Sequence, residues 1–181
     1  MRFIRWLLVL AYVGFIYITL PIAPRIWIRA QRRLGTSFAS LAFYPLVFAA
    51  LVILIYAIYR TRGHWLSLLG LAGAGVAYYY LYNHEFQTPA ERMHFLEYGL
   101  LSWIIYWALQ PSVSRWTRVA AGAFFLSCVF GSLDEYIQYL TFERWHRVGE
   151  LRDAVANWES ALLGMIVLLL IIRPWKKERE Q

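Results

Sequence analysis

Ala161 to Ile172 reads ALLGMIVLLLII, and Leu46 to Tyr59 reads LVFAALVILIYAIY; neither run contains a charged residue. A helix needs roughly 20 mostly apolar residues to cross the hydrocarbon core of a bilayer. Backbone amides there have no water to bond, so only helices and closed barrels span it. Barrel strands alternate apolar and polar residues, whereas these runs are continuously apolar, so they predict helices. The rest of the chain agrees. Its 181 residues are 60% hydrophobic and 16% charged, where a soluble domain is about half apolar and about a quarter charged.

Working outward from these two runs, the apolar blocks predict an all-α polytopic transmembrane bundle of about six spans, near 4–22, 41–59, 65–82, 94–110, 117–134 and 157–173. The organisation expected is an N-terminal anchor helix with a basic segment over 1–40, a helical membrane domain over 41–173, and a charged tail over 174–181. The start resembles a signal peptide, but Pro21 and Pro24 follow it where a small-x-small cleavage site would stand, so a retained signal-anchor is expected. In the third span, Gly70, Gly73 and Gly75 and the tyrosines 78, 79, 80 and 82 read as helix packing and headgroup-level anchoring.

The net charge of +7 comes from arginines at the ends of apolar blocks, with no Gly-rich phosphate loop and no basic helix interleaved with polar residues, so nucleic acid is not an expected partner. An N-in, C-in topology puts Arg2, Arg5, Arg60, Arg62, Arg115, Arg118, Arg173, Lys176, Lys177 and Arg179 in the cytoplasm. Arg25, Arg29, Arg32, Arg33, Arg92, Arg144, Arg147 and Arg152 then lie outside, a majority of ten to eight. Four of those eight belong to RIWIRAQRR, Arg25 to Arg33, which reads as a basic, Trp-anchored segment lying in the interface. The expected location is the cell membrane, multi-pass. Cys128, the sole cysteine, sits in an apolar run and reads as a small hydrophobe.

The acids are segregated. None precedes Glu85, only Glu178 and Glu180 follow Glu159, and the other nine lie near one set of helix ends and loops. Acids at such positions are costly unless paired, exposed or functional. Glu91, His94 and Tyr98 share a helix face, with Glu97 beside it; Asp134 and Gln138 are one turn apart; Asp153 and Asn157 share another face that Ser160 and Gly164 continue.

At these residues the chain resembles the VanZ-like family of small bacterial membrane proteins. The resemblance rests on Arg92-x-His94-Phe95-x-x-Tyr98-x-x-Leu101, Asp134-Glu135-x-x-Gln138, Arg147-x5-Asp153-x3-Asn157, and Gly164. It covers roughly the second half of the chain. Trp145-His146 stand where members usually carry Pro-Gly, Arg144 fits the usual interval from Gln138 as an alternative to Arg147, and Ser160 stands where glycine is common. The resemblance implies a cell-envelope role; the name-giving member is associated with lowered susceptibility to the glycopeptide teicoplanin.

The residues themselves leave three readings open. In the first, an intramembrane enzyme acts on an envelope lipid or lipid-linked cell-wall precursor. His94, Asp134, Glu135 and Asp153 are then the candidate acid/base groups, and Arg92, Tyr98, Gln138, Arg147 and Asn157 the groups that hold a headgroup. No nucleophile is identifiable. In the second, the same groups bind a lipid, a glycopeptide or a protein without chemistry. In the third, Arg147 with Asp134 or Asp153, and His94 with Glu97, neutralise one another and staple the last three spans. His94 with Asp134, Glu135 and Asp153 is the one oxygen-rich set, but it lacks HExxH or comparable spacing, so neither a metal nor a cofactor is expected. Reporter fusions after residues near Arg33 and Glu150 are both expected to read as non-cytoplasmic; a cytoplasmic signal at Glu150 would overturn this topology.

Overall fold

A computed structural model of the chain describes residues 2–35, 52–60, 64–84, 89–140 and 151–172. Among the described residues the elements are all α-helices: α1 (Arg2–Thr19), α2 (Ala23–Leu34), α3 (52–60), α4 (Trp65–His84), α5 (Pro89–Leu109), α6 (Trp116–Leu140) and α7 (Leu151–Ile172). Most of the second expected span, the Gln138-to-Arg147 loop beyond Leu140, and the charged tail lie outside the described residues.

Helix ends follow local chemistry. Pro21 stands in the turn after α1, which closes through Leu20 N–H to Ile16 O (3.2 Å) and Ile22 N–H to Thr19 O (2.9 Å). Gly35, with φ +72°, takes the left-handed conformation just past α2. Pro89 opens α5, where its missing N–H is not needed. The polar segments change position relative to the hydropathy boundaries. The α6 helix runs on to Leu140, α7 begins at Leu151 and α5 at Pro89, so Asp134 and Asn157 lie within helices, with Gln138 in the last turn of α6 and Asp153 in the first turn of α7. Hydropathy marks where a helix stops being apolar. Glu and Gln are good helix formers, and no proline or capping glycine follows Asp134 before Leu140, so the helix continues.

Among the described residues three helices, α1, α6 and α7, are long and apolar enough to cross a membrane. At 1.5 Å per residue they measure roughly 27, 37 and 33 Å, against about 30 Å of hydrocarbon. Shorter apolar stretches lie in α4 (Trp65–Leu81) and α5 (Leu96–Leu109). The bundle is built on α5, α6 and α7, each packed on the other two, with α1 laid against α5 and α4 against α7. Its core joins Val9, Val13 and Ile16 of α1 to Tyr98, Leu101 and Ile105 of α5, Val119 and Ala123 of α6, and Met165 of α7. These positions recur three or four residues apart, so each helix gives one stripe to the centre.

Outward, the polarity is inverted relative to a water-soluble bundle. Large apolar side chains such as Ile18, Leu69, Val76, Phe125 and Leu162 face out, while Ser102, Ser127, Asp134, Gln138 and Ser160 have no exposed surface. An exterior of this kind suits lipid rather than water. Two contacts latch α1 antiparallel to α5: Arg2 Nη2 donates to Pro111 O and Arg5 Nη1 to Trp107 O, each at 2.8 Å. The Arg5 guanidinium also lies 4.5 Å from the Trp107 ring centroid. Both arginines thus meet the carbonyl-rich C-terminal end of α5, where positive charge is favoured.

Glycine sets the helix spacing at two points. A Cβ on Gly164 would lie 2.6 Å from Gly99 O and 2.7 Å from Gly99 Cα, and one on Gly131 would lie 2.9 Å from Asn157 Cβ. Small residues at such crossings let membrane helices approach backbone to backbone. Gly73, by contrast, has nothing within 4 Å of its Cβ position. Gly164→Ala is therefore expected to destabilise the protein by about 1–3 kcal/mol, and Gly73→Ala to be neutral or stabilising by up to about 1 kcal/mol. Thermal unfolding of the detergent-solubilised variants measures both.

Candidate functional site

The site lies at the end of the bundle opposite the Arg2 and Arg5 latch. Because α1 is antiparallel to α5, its last turn sits beside the first turns of α5, the last turns of α6 and the first turns of α7. In α6 a single stripe carries Ser127, Gly131, Asp134, Glu135 and Gln138 into the interior. In α7 the inward stripe is Ala156, Asn157, Ser160, Ala161 and Gly164. Tyr98 completes the set from α5 and is fully buried.

Glu135 is the hub. Its Oε1 accepts from Gln138 Nε2 at 3.0 Å, one turn along the same helix, and from Asn157 Nδ2 of α7 at 3.4 Å. The Asn157 amide also reaches Gly131 O at 3.5 Å, through the gap that the missing glycine side chain leaves. Asp134 is the electrostatic neighbour of the hydroxyls of Tyr98 and Tyr17. Tyr17 in turn donates from its hydroxyl to Phe130 O at 2.9 Å, one turn before Asp134. Burying carboxylates costs several kcal/mol per ion unless hydrogen bonds and counter-charge offset it. At Glu135 the Gln138 and Asn157 amides supply the first of those.

Of the expected site residues, the structure brings together Tyr98, Asp134, Glu135, Gln138 and Asn157. Asp153 lies one turn before Asn157 and is half-buried. Arg92 and His94 fall in the first two turns of α5, where only the backbone is described, and Arg144 and Arg147 lie outside the described residues. The expected pairings of Arg147 with Asp134 or Asp153 and of His94 with Glu97, and the oxygen-rich set built on His94, therefore involve side chains outside that range. Among the described residues no group of three or more His, Cys, Asp and Glu is placed to hold a metal ion.

The structure adds groups that spacing alone does not reveal. Tyr17 is one, and Tyr12, whose hydroxyl donates to Glu97 O at 3.3 Å, is another. Tyr78 of α4 and Ser160 of α7 bring their hydroxyls against Gly99; 2.7 Å and 3.3 Å separate them from the position its Cβ would take. Trp158 Nε1 donates to Cys128 O (3.2 Å) and Ser132 Oγ (3.1 Å), and Trp103 Nε1 donates to Gly164 O. The available signal was a tyrosine or tryptophan inside an apolar span, whose polar tip needs a partner when buried.

The isolated candidates keep modest places. His64 is exposed at the start of α4, its Nδ1 3.4 Å from Ser67 Oγ, and His84 is exposed at the end of α4 with its ring 4.5 Å from that of Tyr80. Cys128 is half-buried on α6. Comparison with protein-family models, with curated proteins and with solved structures finds no match.

The Asn157–Glu135 contact is open to a double-mutant cycle. Asn157→Ala and Glu135→Met are expected to couple by about 0.5–1.5 kcal/mol in unfolding free energy, the range for interhelical hydrogen bonds in membrane proteins. Strict additivity would show that the two side chains do not interact.

Proposed function

We propose that the chain is a VanZ-like multi-pass membrane protein of the cell envelope whose buried polar centre engages the headgroup of a membrane lipid or lipid-linked cell-wall component. The observation that carries this reading is the convergence of Tyr98, Asp134, Glu135, Gln138 and Asn157 from three helices inside a bundle with an apolar exterior. Ionisable residues within spans are expensive and mark functional sites by default. The order of these residues along the chain is also that of the family pattern, which supports the assignment.

In this proposal α1, 41–59, α4, α5, α6 and α7 are six spans, with both termini cytoplasmic and the polar centre towards the opposite face. Arg92 with Arg147 or Arg144 holds a phosphate, the geometry that guanidinium groups suit best. Gln138 and Asn157 orient the headgroup, and His94, Asp134, Glu135 and Asp153 accept or hold its protons. Glycopeptide tolerance is one phenotype of such a role. A second reading has its own support: the mutual hydrogen bonds of Glu135, Gln138 and Asn157 fasten α6 to α7 whether or not a ligand enters. That reading makes the cluster a structural staple of a membrane scaffold or partner-binding protein.

Single replacements His94→Ala, Asp134→Asn, Arg147→Gln and Asp153→Asn separate the two. A functional centre gives loss of the envelope phenotype, read as teicoplanin susceptibility and extracted lipid composition, at normal folded yield. A staple gives reduced yield in every case. Lipid extracts divide catalysis from binding: an enzyme changes the abundance of a product, whereas a binder retains a lipid through purification.

A further inference from the structure

The α2 helix is unlike the rest of the molecule. Its 12 residues include Arg25, Arg29, Arg32 and Arg33, all exposed, and no acidic residue precedes Glu85 in the chain to balance them. At about 100° per residue these arginines fall within roughly one quadrant of the helix. Ile26, Ala30 and Leu34 fall in the adjacent quadrant, and there Ile26 (59%) and Leu34 (62%) are exposed. Among the described residues the helix takes no part in the extensive packing of α1, α4, α5, α6 and α7. Its starting point is set by its covalent link to α1. Only the turn at Thr19–Ile22 separates it from α1, a helix long and apolar enough to span, so α2 begins where that span ends. That is the end of the bundle that carries the polar centre.

We infer that α2 is a docking helix for an anionic lipid surface, lying in the interface with Ile26, Ala30 and Leu34 towards the acyl chains and its four arginines among the headgroup phosphates. The inference rests on the membrane-embedded reading of the chain but not on any activity of the polar centre. Continuity with a spanning helix and charge complementarity name the occupant. A protein groove would have to match both an apolar stripe and four cations at the level of the bilayer, whereas an anionic leaflet presents both layers in that order. One consequence for the site follows: α2 enriches anionic headgroups at the end of the bundle that carries Asp134 and Glu135.

Hydrogen exchange of the full-length protein reads this directly. The protein is placed in detergent, in phosphatidylcholine nanodiscs, and in nanodiscs of phosphatidylcholine mixed equally with phosphatidylglycerol. The amides of residues 25–34 should be protected in the phosphatidylglycerol discs and markedly less so in the other two. Salt should reduce that protection, and each arginine replaced, up to R25Q/R29Q/R32Q/R33Q, should raise exchange about fivefold. Ile26→Ser with Leu34→Ser should remove protection with the arginines intact. Equal protection in both kinds of disc would overturn the inference, as would protection already complete in detergent, which would mean docking on protein. Failure of the protein to enter discs at all, with solubility in plain buffer, would overturn the membrane reading and this inference together.

Discussion

The structure depends on the approach of α5 and α7 at Gly99 and Gly164, where there is room for backbone and nothing else. That crossing fixes the distance between the two helices, and with it the height at which every residue along them meets. Ser160 arrives against Gly99 one turn from the crossing, and Asn157 arrives two turns away, opposite Gly131 of α6. Gly131 then admits the Asn157 side chain, which reaches Glu135. Three missing side chains thus determine whether the buried amides and carboxylate can touch. In a bilayer this matters more than in water, because association of apolar helices gains little from hydrophobic burial and relies on packing and hydrogen bonds.

Charge is distributed along the bundle as deliberately as polarity is distributed across it. One end carries Arg2 and Arg5, tied to the carbonyls at the C-terminal end of α5, and beside them Arg115 and Arg118 at the start of α6. The other end carries Glu97, Asp134, Glu135 and Asp153. Each end is served by a different stabilising device: cations on helix C-terminal carbonyls at the first, side-chain amide donors on the Glu135 carboxylate at the second. The basic α2 helix begins at that same end, one turn beyond the last residue of α1.

Much of this was legible in the sequence, for a physical reason. Long uncharged runs such as Ala161 to Ile172 admit one solution in a membrane, so helical architecture followed at once. Spacing of three and four placed Asp134 with Gln138 and Asp153 with Asn157, and the structure keeps those faces. Helix ends were less legible, because hydropathy tracks the solvent while hydrogen bonding tracks the backbone; α6 outlasts its apolar stretch by about a turn and a half. Least legible were Tyr12 and Tyr17. Their partners, Glu97 O and Phe130 O, lie 85 and 113 residues away, and one sequence carries no local trace of such a pairing.

Those same separations bear on how the protein is made. The bonds that seat α1 join it to residues 85 to 113 positions further on, at Glu97, Trp107, Pro111 and Phe130. At translation rates of about 5–20 residues per second, the first helix waits on the order of 5–20 s for its neighbours to exist. During that interval Tyr12, Tyr17 and both N-terminal arginines must be satisfied by water, lipid headgroups or the insertion machinery. The apolar surface that α1 keeps in the finished bundle also lets it reside alone in lipid until then. Its bonding partners are complete once Phe130 has been made, so α1 can be seated before α7 exists to close the bundle.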